Sequence, residues 1–172
     1  MDETEFWELV DRAREEADGD PESQSDLLVE WLTGLDPDAV LDFARHFEAR
    51  LARGFTWDLW GAAGVLLGGV DEDAFDAFRC WLVGQGRDVF EGALHDTDGL
   101  AELLADFDPE ADGDCEDLGY VADEAYERLT GAPLPDLDLP GRPLEPLGTP
   151  LDPADETALA ERFPRLWARF RA

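Results

Sequence analysis

A chain of 172 residues carrying ten phenylalanines and six tryptophans can bury a core of its own, so neither a disulfide nor a cofactor is needed for folding. Its 43 acidic residues meet 13 basic ones, all arginine, and the net charge of -30 disfavours DNA, RNA or an anionic membrane, because every phosphate meets net repulsion. Lysine, isoleucine and asparagine are absent; all three use AT-rich codons, so the composition reads as a GC-rich, bacterial genome, with a haloarchaeal one as the alternative, and not as mechanism.

Apolar residues recur at helical spacing along most of the chain, without sustained period-two alternation. Phe6, Leu9, Val10, Ala13 and Ala17 form a first stripe, opened by Asp2 with Glu5 three positions on, a variant capping box. Asp20-Pro21 opens a second helix through Leu28, Trp31 and Leu32 to Gly34. Asp36-Pro37 opens a third through Val40, Leu41, Ala44, Phe47 and Leu51 to Gly54. Thr56 caps a fourth containing Trp57, Trp60, Ala63, Gly64 and Leu67, which Gly68-Gly69 ends. Asp71 caps a fifth with Ala74, Phe75, Phe78, Trp81 and Leu82. A short helix through Val89, Phe90 and Leu94 follows, then one with Leu100, Leu103, Leu104 and Phe107, then one from Leu118 through Tyr126 and Leu129 to Gly131.

From Ala132 to Pro153 lie seven of the eleven prolines, a segment that cannot be helix and whose regular leucines predict an extended strap lying on the domain. A terminal helical segment interrupted at Pro164 presents Leu166, Trp167 and Phe170. The expectation is an all-α protein of about eight or nine helices, divided as helical domain 1–131, strap 132–153 and C-terminal helical segment 154–172 packed on the domain. The opening stretch has neither a basic leader nor a sufficient apolar core, and no run reaches the ~18 to 20 apolar residues of a membrane helix. A cytoplasmic protein is expected, with Cys80 and Cys115 reduced and in the core.

Six glycines between Leu59 and Asp88 raise the question of a phosphate cradle. A Walker loop needs a lysine, which the chain lacks, and Gly61, Gly64, Gly68 and Gly69 have neither the spacing nor the preceding strand of a dinucleotide site. They are read instead as a surface for close helix approach, with Gly68-Gly69 as a turn. Between Asp88 and Glu127 stand fifteen acids and no base. Within that belt, Asp108, Glu110, Asp112 and Asp114 fall on calcium-loop positions one, three, five and seven, but Gly119 stands where the bidentate glutamate belongs. With only His46 and His95 for histidine, no metal and no cofactor are expected.

Arg79 sits beside the apolar face of the fifth helix and must find a carboxylate or carbonyl if buried; Asp58, Asp73 and Glu116 are the partners considered. It either fixes helix register through an internal ion pair or joins Gln85 and Arg87 in a small anionic-ligand site.

The runs "WDLWGAA" at Trp57 to Ala63, "DAFDAFRCWLVGQGRDVFEGAL" at Asp73 to Leu94 and "YVADEAYERLTG" at Tyr120 to Gly131, with Phe6-Trp7 and Gly68-Gly69, resemble domain of unknown function family 4240. The resemblance spans most of the chain up to the strap, and F-R-x-W-L-x-x-Q-G-R is its most specific part. It implies a bacterial, intracellular, largely helical domain with Trp57, Asp58, Trp60, Arg79, Trp81, Gln85, Gly86 and Arg87 at motif positions, and no activity.

Two functions remain. One is a non-catalytic interaction module that offers Asp106, Asp108, Asp112 and Asp114 to a basic protein, in the manner of an immunity protein, an antitoxin or a nucleic-acid mimic. The other is an enzyme or small-ligand domain using Trp57, Asp58, Trp60, Arg79, Trp81, Gln85 and Arg87 with nearby carboxylates on a small polar or anionic ligand. Without a recognised nucleophile, metal cluster or phosphate loop, the second is the weaker reading and no catalytic residue is assigned. Oligomeric state stays open. Where Arg79, Gln85 and Arg87 point is the deciding observation.

Overall fold

Asp2, Asp20, Asp36, Thr56 and Asp71 each accept, through the side chain, the backbone N–H three positions on, and five helices start at those caps. In the computed structural model, which describes residues 1–171, these are α1 (Glu3–Glu16), α2 (Pro21–Thr33), α3 (Pro37–Arg53), α4 (Trp57–Leu67) and α5 (Glu72–Gly84). They are followed by α6 (Arg87–His95), the single turn α7 (Leu100–Leu103), α8 (Val121–Thr130), α9 (Glu156–Arg162) and α10 (Pro164–Phe170). Short 3-10 turns at Thr97–Gly99 and Glu116–Tyr120 lead into α7 and α8. The architecture is all-α: no strand occurs among the described residues, only an isolated parallel bridge between Thr56 and Leu147.

Among the described residues ten α-helices stand where the stripes predict eight or nine. Pro164 supplies no amide to the preceding turn and restarts the helix, so the terminal segment divides in two. The helix expected across Leu100 to Phe107 shrinks to one turn, because the chain leaves helical geometry at Leu104. Phe6, Trp7, Phe43, Phe75, Phe78, Phe90 and Phe163 form the fully buried centre, so residues from both ends of the chain meet in one core.

The strap holds its course through backbone and arginine contacts. Trp57 N donates to Leu147 O at 3.0 Å and Leu147 N to Phe55 O at 2.9 Å. Arg45 reaches the Leu137 carbonyl at 3.3 Å, and Arg142 pairs with Glu48 at 2.8 Å. Leu134 and Leu137 pack on the core, whereas Leu144 stands fully in solvent.

The glycines of α4 then receive the end of the strap and the two terminal helices. A Cβ at Gly61 would stand 2.5 Å from Leu151 Cδ2 and 2.8 Å from Phe163 Cε2, and one at Gly64 3.4 Å from the Pro153 carbonyl. Arg171 donates to the Val65 and Gly64 carbonyls at 2.9 and 3.4 Å, supplying the C-terminus of α4 with a cation. Phe163 and Leu166, both buried, each contribute about 1.5–3 kcal/mol by leaving water. Gly61→Val is therefore expected to cost about 1–3 kcal/mol by overpacking and to open the 132–153 strap to protease. Gly141→Ala, whose Cβ meets nothing, is the control. Equal melting and equal cleavage of the two variants would refute this packing role.

Candidate functional site

Arg79 is 2% exposed. Its guanidinium donates to the Leu51 carbonyl at 2.7 Å and to Asp76, one helical turn back. Leu51 lies in the last turn of α3, whose carbonyls lack intrahelical partners, so Arg79 caps α3 from a neighbouring helix. The guanidinium carbon sits 4.9 Å from the Phe55 ring centre and 4.8 Å from that of Phe75. Burial pulls the Arg79 pKa down, against the charge of Asp76. The partner is thus Asp76 and not Asp58, Asp73 or Glu116, because three-residue helical spacing places Asp76 beneath Arg79.

Trp57, Trp60 and Phe75 continue this stack. Trp60 lies 5.0 Å from Phe75 and 6.0 Å from Trp57, centre to centre, and its indole N–H donates to the Val70 carbonyl at 2.9 Å. Asp58 turns away to Arg162, 3.2 Å distant.

The remaining motif residues occupy the other end of α5. Trp81 packs edge-on against Phe107 at 5.5 Å. Gln85 is the C-cap, and Gly86 follows with φ 100° and ψ 173°. That turn brings the Asp11 carboxylate against Gly86 and the Arg87 amide at the start of α6. Burial pushes Asp11 up from its ordinary range. Arg87 itself is exposed. Arg79 and Gln85 therefore face different surroundings: Arg79 belongs to an interior stack, while Gln85 lines a surface cleft with Arg14, Trp81, Phe107, Asp106 and Asp112.

The acidic belt divides at residue 105. Arg165 pairs with Asp96 at 3.1 Å and Glu102 at 2.8 Å. The Asp98 carboxylate accepts the Arg165 and Leu166 amides at 3.1 and 2.9 Å, and Arg169 reaches the Ala105 carbonyl at 3.0 Å. Beyond that point, no arginine among the described residues lies within ion-pair distance of Asp106, Asp108, Asp112 or Asp114. Two of these acids serve the loop itself: Asp108 accepts the Glu110 amide at 3.0 Å, and Asp112 accepts the Asp108 amide at 3.0 Å. Among the described residues, no three His, Cys, Asp or Glu side chains converge as metal ligands would. Cys80 and Cys115 are buried thiols, and burial pushes Cys80 up to about 12, so its thiolate is scarce at neutral pH.

The segment holding these motifs, residues 1–128, matches a family model described as a protein of unknown function, DUF4240. The chain belongs to the DUF4240 family. No curated protein and no solved structure matches it.

In this DUF4240 protein the matched region ends near the close of α8, yet Leu159, Phe163 and Leu166 from beyond it complete the core. Several residues of the site were not legible as such. Gln24 is buried and donates to the Val10 and Gly84 carbonyls at 3.2 and 2.8 Å, tying α2 to the end of α5. Its only sequence signal is an amide on a helix face shared with Leu28. Glu48, Asp73, Asp76, Glu116 and Asp123 line a cleft of about 410 Å³ together with Tyr120 and with Arg142 of the strap, the latter paired to Glu48. Burial raises Asp123, and the nearby Glu48 charge adds to that shift. Arg142, the one basic residue between 132 and 153, was the available clue.

Proposed function

We infer that this protein is a non-catalytic interaction module whose loop Asp106–Asp114 receives a basic protein. The observation that supports this reading is the division of the belt. Arg165 is spent on Asp96 and Glu102 and Arg169 on the Ala105 carbonyl, the Asp98 carboxylate is taken up by the Arg165 and Leu166 backbone amides, and the next four aspartates have no cationic partner among the described residues. The burial of Arg79 against Asp76 and Leu51 points the same way, since the motif arginine is consumed inside the domain. Opposed exposed charges steer association and are screened over roughly 8 to 10 Å at ordinary ionic strength. A partner of this kind is retained at low salt and released by graded salt.

Affinity capture from native lysate, followed by purification of the retained basic protein and direct titration, tests the proposal. Binding should fall at least tenfold when Asp106, Asp108, Asp112 and Asp114 all become asparagine, with folding intact because these acids pair with no arginine among the described residues and an asparagine Oδ1 still accepts the Glu110 and Asp108 amides. Capture of nothing specific, or unchanged affinity of the fourfold variant, would overturn it.

A further inference from the structure

Of the six large hydrophobic side chains that stand exposed among the described residues, three lie within nine positions of the strap: Leu139, Leu144 and Leu147. Single exposed leucines are ordinary, but a cluster of them beside a cavity marks an interaction surface. Leu144 is fully exposed. The chain bends at Leu144 and Glu145, between Pro143 and Pro146, and the hydrogen bonds of Leu147 with Phe55 and Trp57 fix it just beyond. Prolines on either side restrict the backbone, so this knob is held out with little conformational freedom left to lose on binding.

Next to the knob is a hole. Ala49 and Ala52 of α3, with Leu139, Pro140, Pro143 and Leu147 of the strap, line a cleft of about 410 Å³. Ligand pockets span roughly 300–1,000 Å³, so there is room for a leucine side chain. Leu144 does not line the cleft that its neighbours Pro143 and Leu147 help to build. A knob and an apolar hole side by side on one face are self-complementary under a two-fold axis, because each copy's knob then meets the other's hole. We propose that this face is the interface of a homodimer, in which Leu144 of each protomer enters the cleft between α3 and the strap of its partner.

A net charge of -30 on each copy opposes association, and that repulsion is weakened where acids are already paired. Three of the thirteen arginines stand at this face: Arg142 pairs with Glu48 at 2.8 Å, Arg53 with Glu91 at 2.8 Å and Arg45 with Asp42 at 3.2 Å. Asp138 and Glu145 have no ion-pair partner among the described residues, and they join the acids elsewhere in repelling a second copy. The sign of the salt effect follows. Salt screens that repulsion and strengthens the dimer, whereas it weakens the capture of a basic protein by Asp106–Asp114, a separate surface.

Sedimentation equilibrium of the purified full-length protein, with no other protein present, tests the proposal. The patch is small, so a weak dimer is expected, with a Kd of roughly 10–300 μM in about 0.5 M NaCl and at least about threefold higher in about 0.05 M NaCl. Leu144→Ser changes a fully exposed side chain, leaves the fold intact and should weaken the dimer at least about tenfold. Leu35→Ser, at an exposed leucine beyond the opposite end of α3, should leave it unchanged. The contact itself is read by mixing an Ala49→Cys chain with a Leu144→Cys chain under mild oxidant. A disulfide joining positions 49 and 144 of different chains is expected, the native thiols being buried. A protein still monomeric at about 1 mM in high salt, a dimer indifferent to Leu144→Ser, a dimer dissociated by salt, or no disulfide between positions 49 and 144 would overturn the proposal. Leu144→Ser should leave capture by the acidic loop intact, and the fourfold asparagine variant should still dimerise, so the two readings fail separately.

Discussion

Gly86→Ala is expected to lower the stability of the protein by about 3–4 kcal/mol, the largest effect of any single methyl group added to this fold. The backbone of Gly86, at φ 100° and ψ 173°, occupies a region essentially restricted to glycine, where a side chain costs about 1–3 kcal/mol. The added Cβ would also fall on the Asp11 carboxylate, which packs there against the first amide of α6. The two causes separate in the double variant Asp11→Ala/Gly86→Ala. Removing the carboxylate relieves the collision and leaves the torsional strain, so a loss of about 1–3 kcal/mol should persist relative to Asp11→Ala. Urea denaturation measures both. A Gly86→Ala protein within about 0.5 kcal/mol of the parent would show that the turn does not need glycine.

The second large effect belongs to Arg79→Ala, expected to cost about 3 kcal/mol. Its cause is chiefly not the ion pair. Asp76 is 46% exposed and can be rehydrated when Arg79 is removed, so the lost Coulomb attraction is small. What is lost is the guanidinium packed against the rings of both Phe55 and Phe75, which lie 6.2 Å apart, and the donor that satisfies the Leu51 carbonyl at the end of α3. Arg79→Met keeps most of the hydrocarbon and should recover about half of the loss. Asp76→Asn should cost less than about 1 kcal/mol. If Asp76→Asn proves as damaging as Arg79→Ala, the ion pair and not the packing holds this helix.

These two residues illustrate what a one-dimensional reading can reach. The helices were legible because their caps are local: Asp2, Asp20, Asp36, Thr56 and Asp71 act within four residues of themselves. Arg79 was legible as a buried arginine, and its partner Asp76 was passed over for more distant acids although it lies one turn away. The use of Gly61 for close approach was legible from its neighbours, but the identity of the visitor was not. Leu151 and Phe163 lie far along the chain, and nothing in their own spacing names α4. The acidic cleft was invisible for the same reason, since Glu48, Asp76 and Asp123 come from three helices that only tertiary packing brings together.

The docking of the last helices on α4 also sets an order in time. During synthesis the chain emerges from its N-terminus at about 5–20 residues per second. The surface around Gly61 is thus made roughly ten seconds before Leu159, Phe163 and Leu166 exist to cover it. In that interval Ala62, Ala63, Val65 and Leu66 must be sheltered by the earlier helices alone, or by a chaperone. A ribosome that stalls within the proline-rich stretch before Pro153 would prolong the interval, which makes the speed of translation through residues 132–153 a determinant of the yield of folded protein.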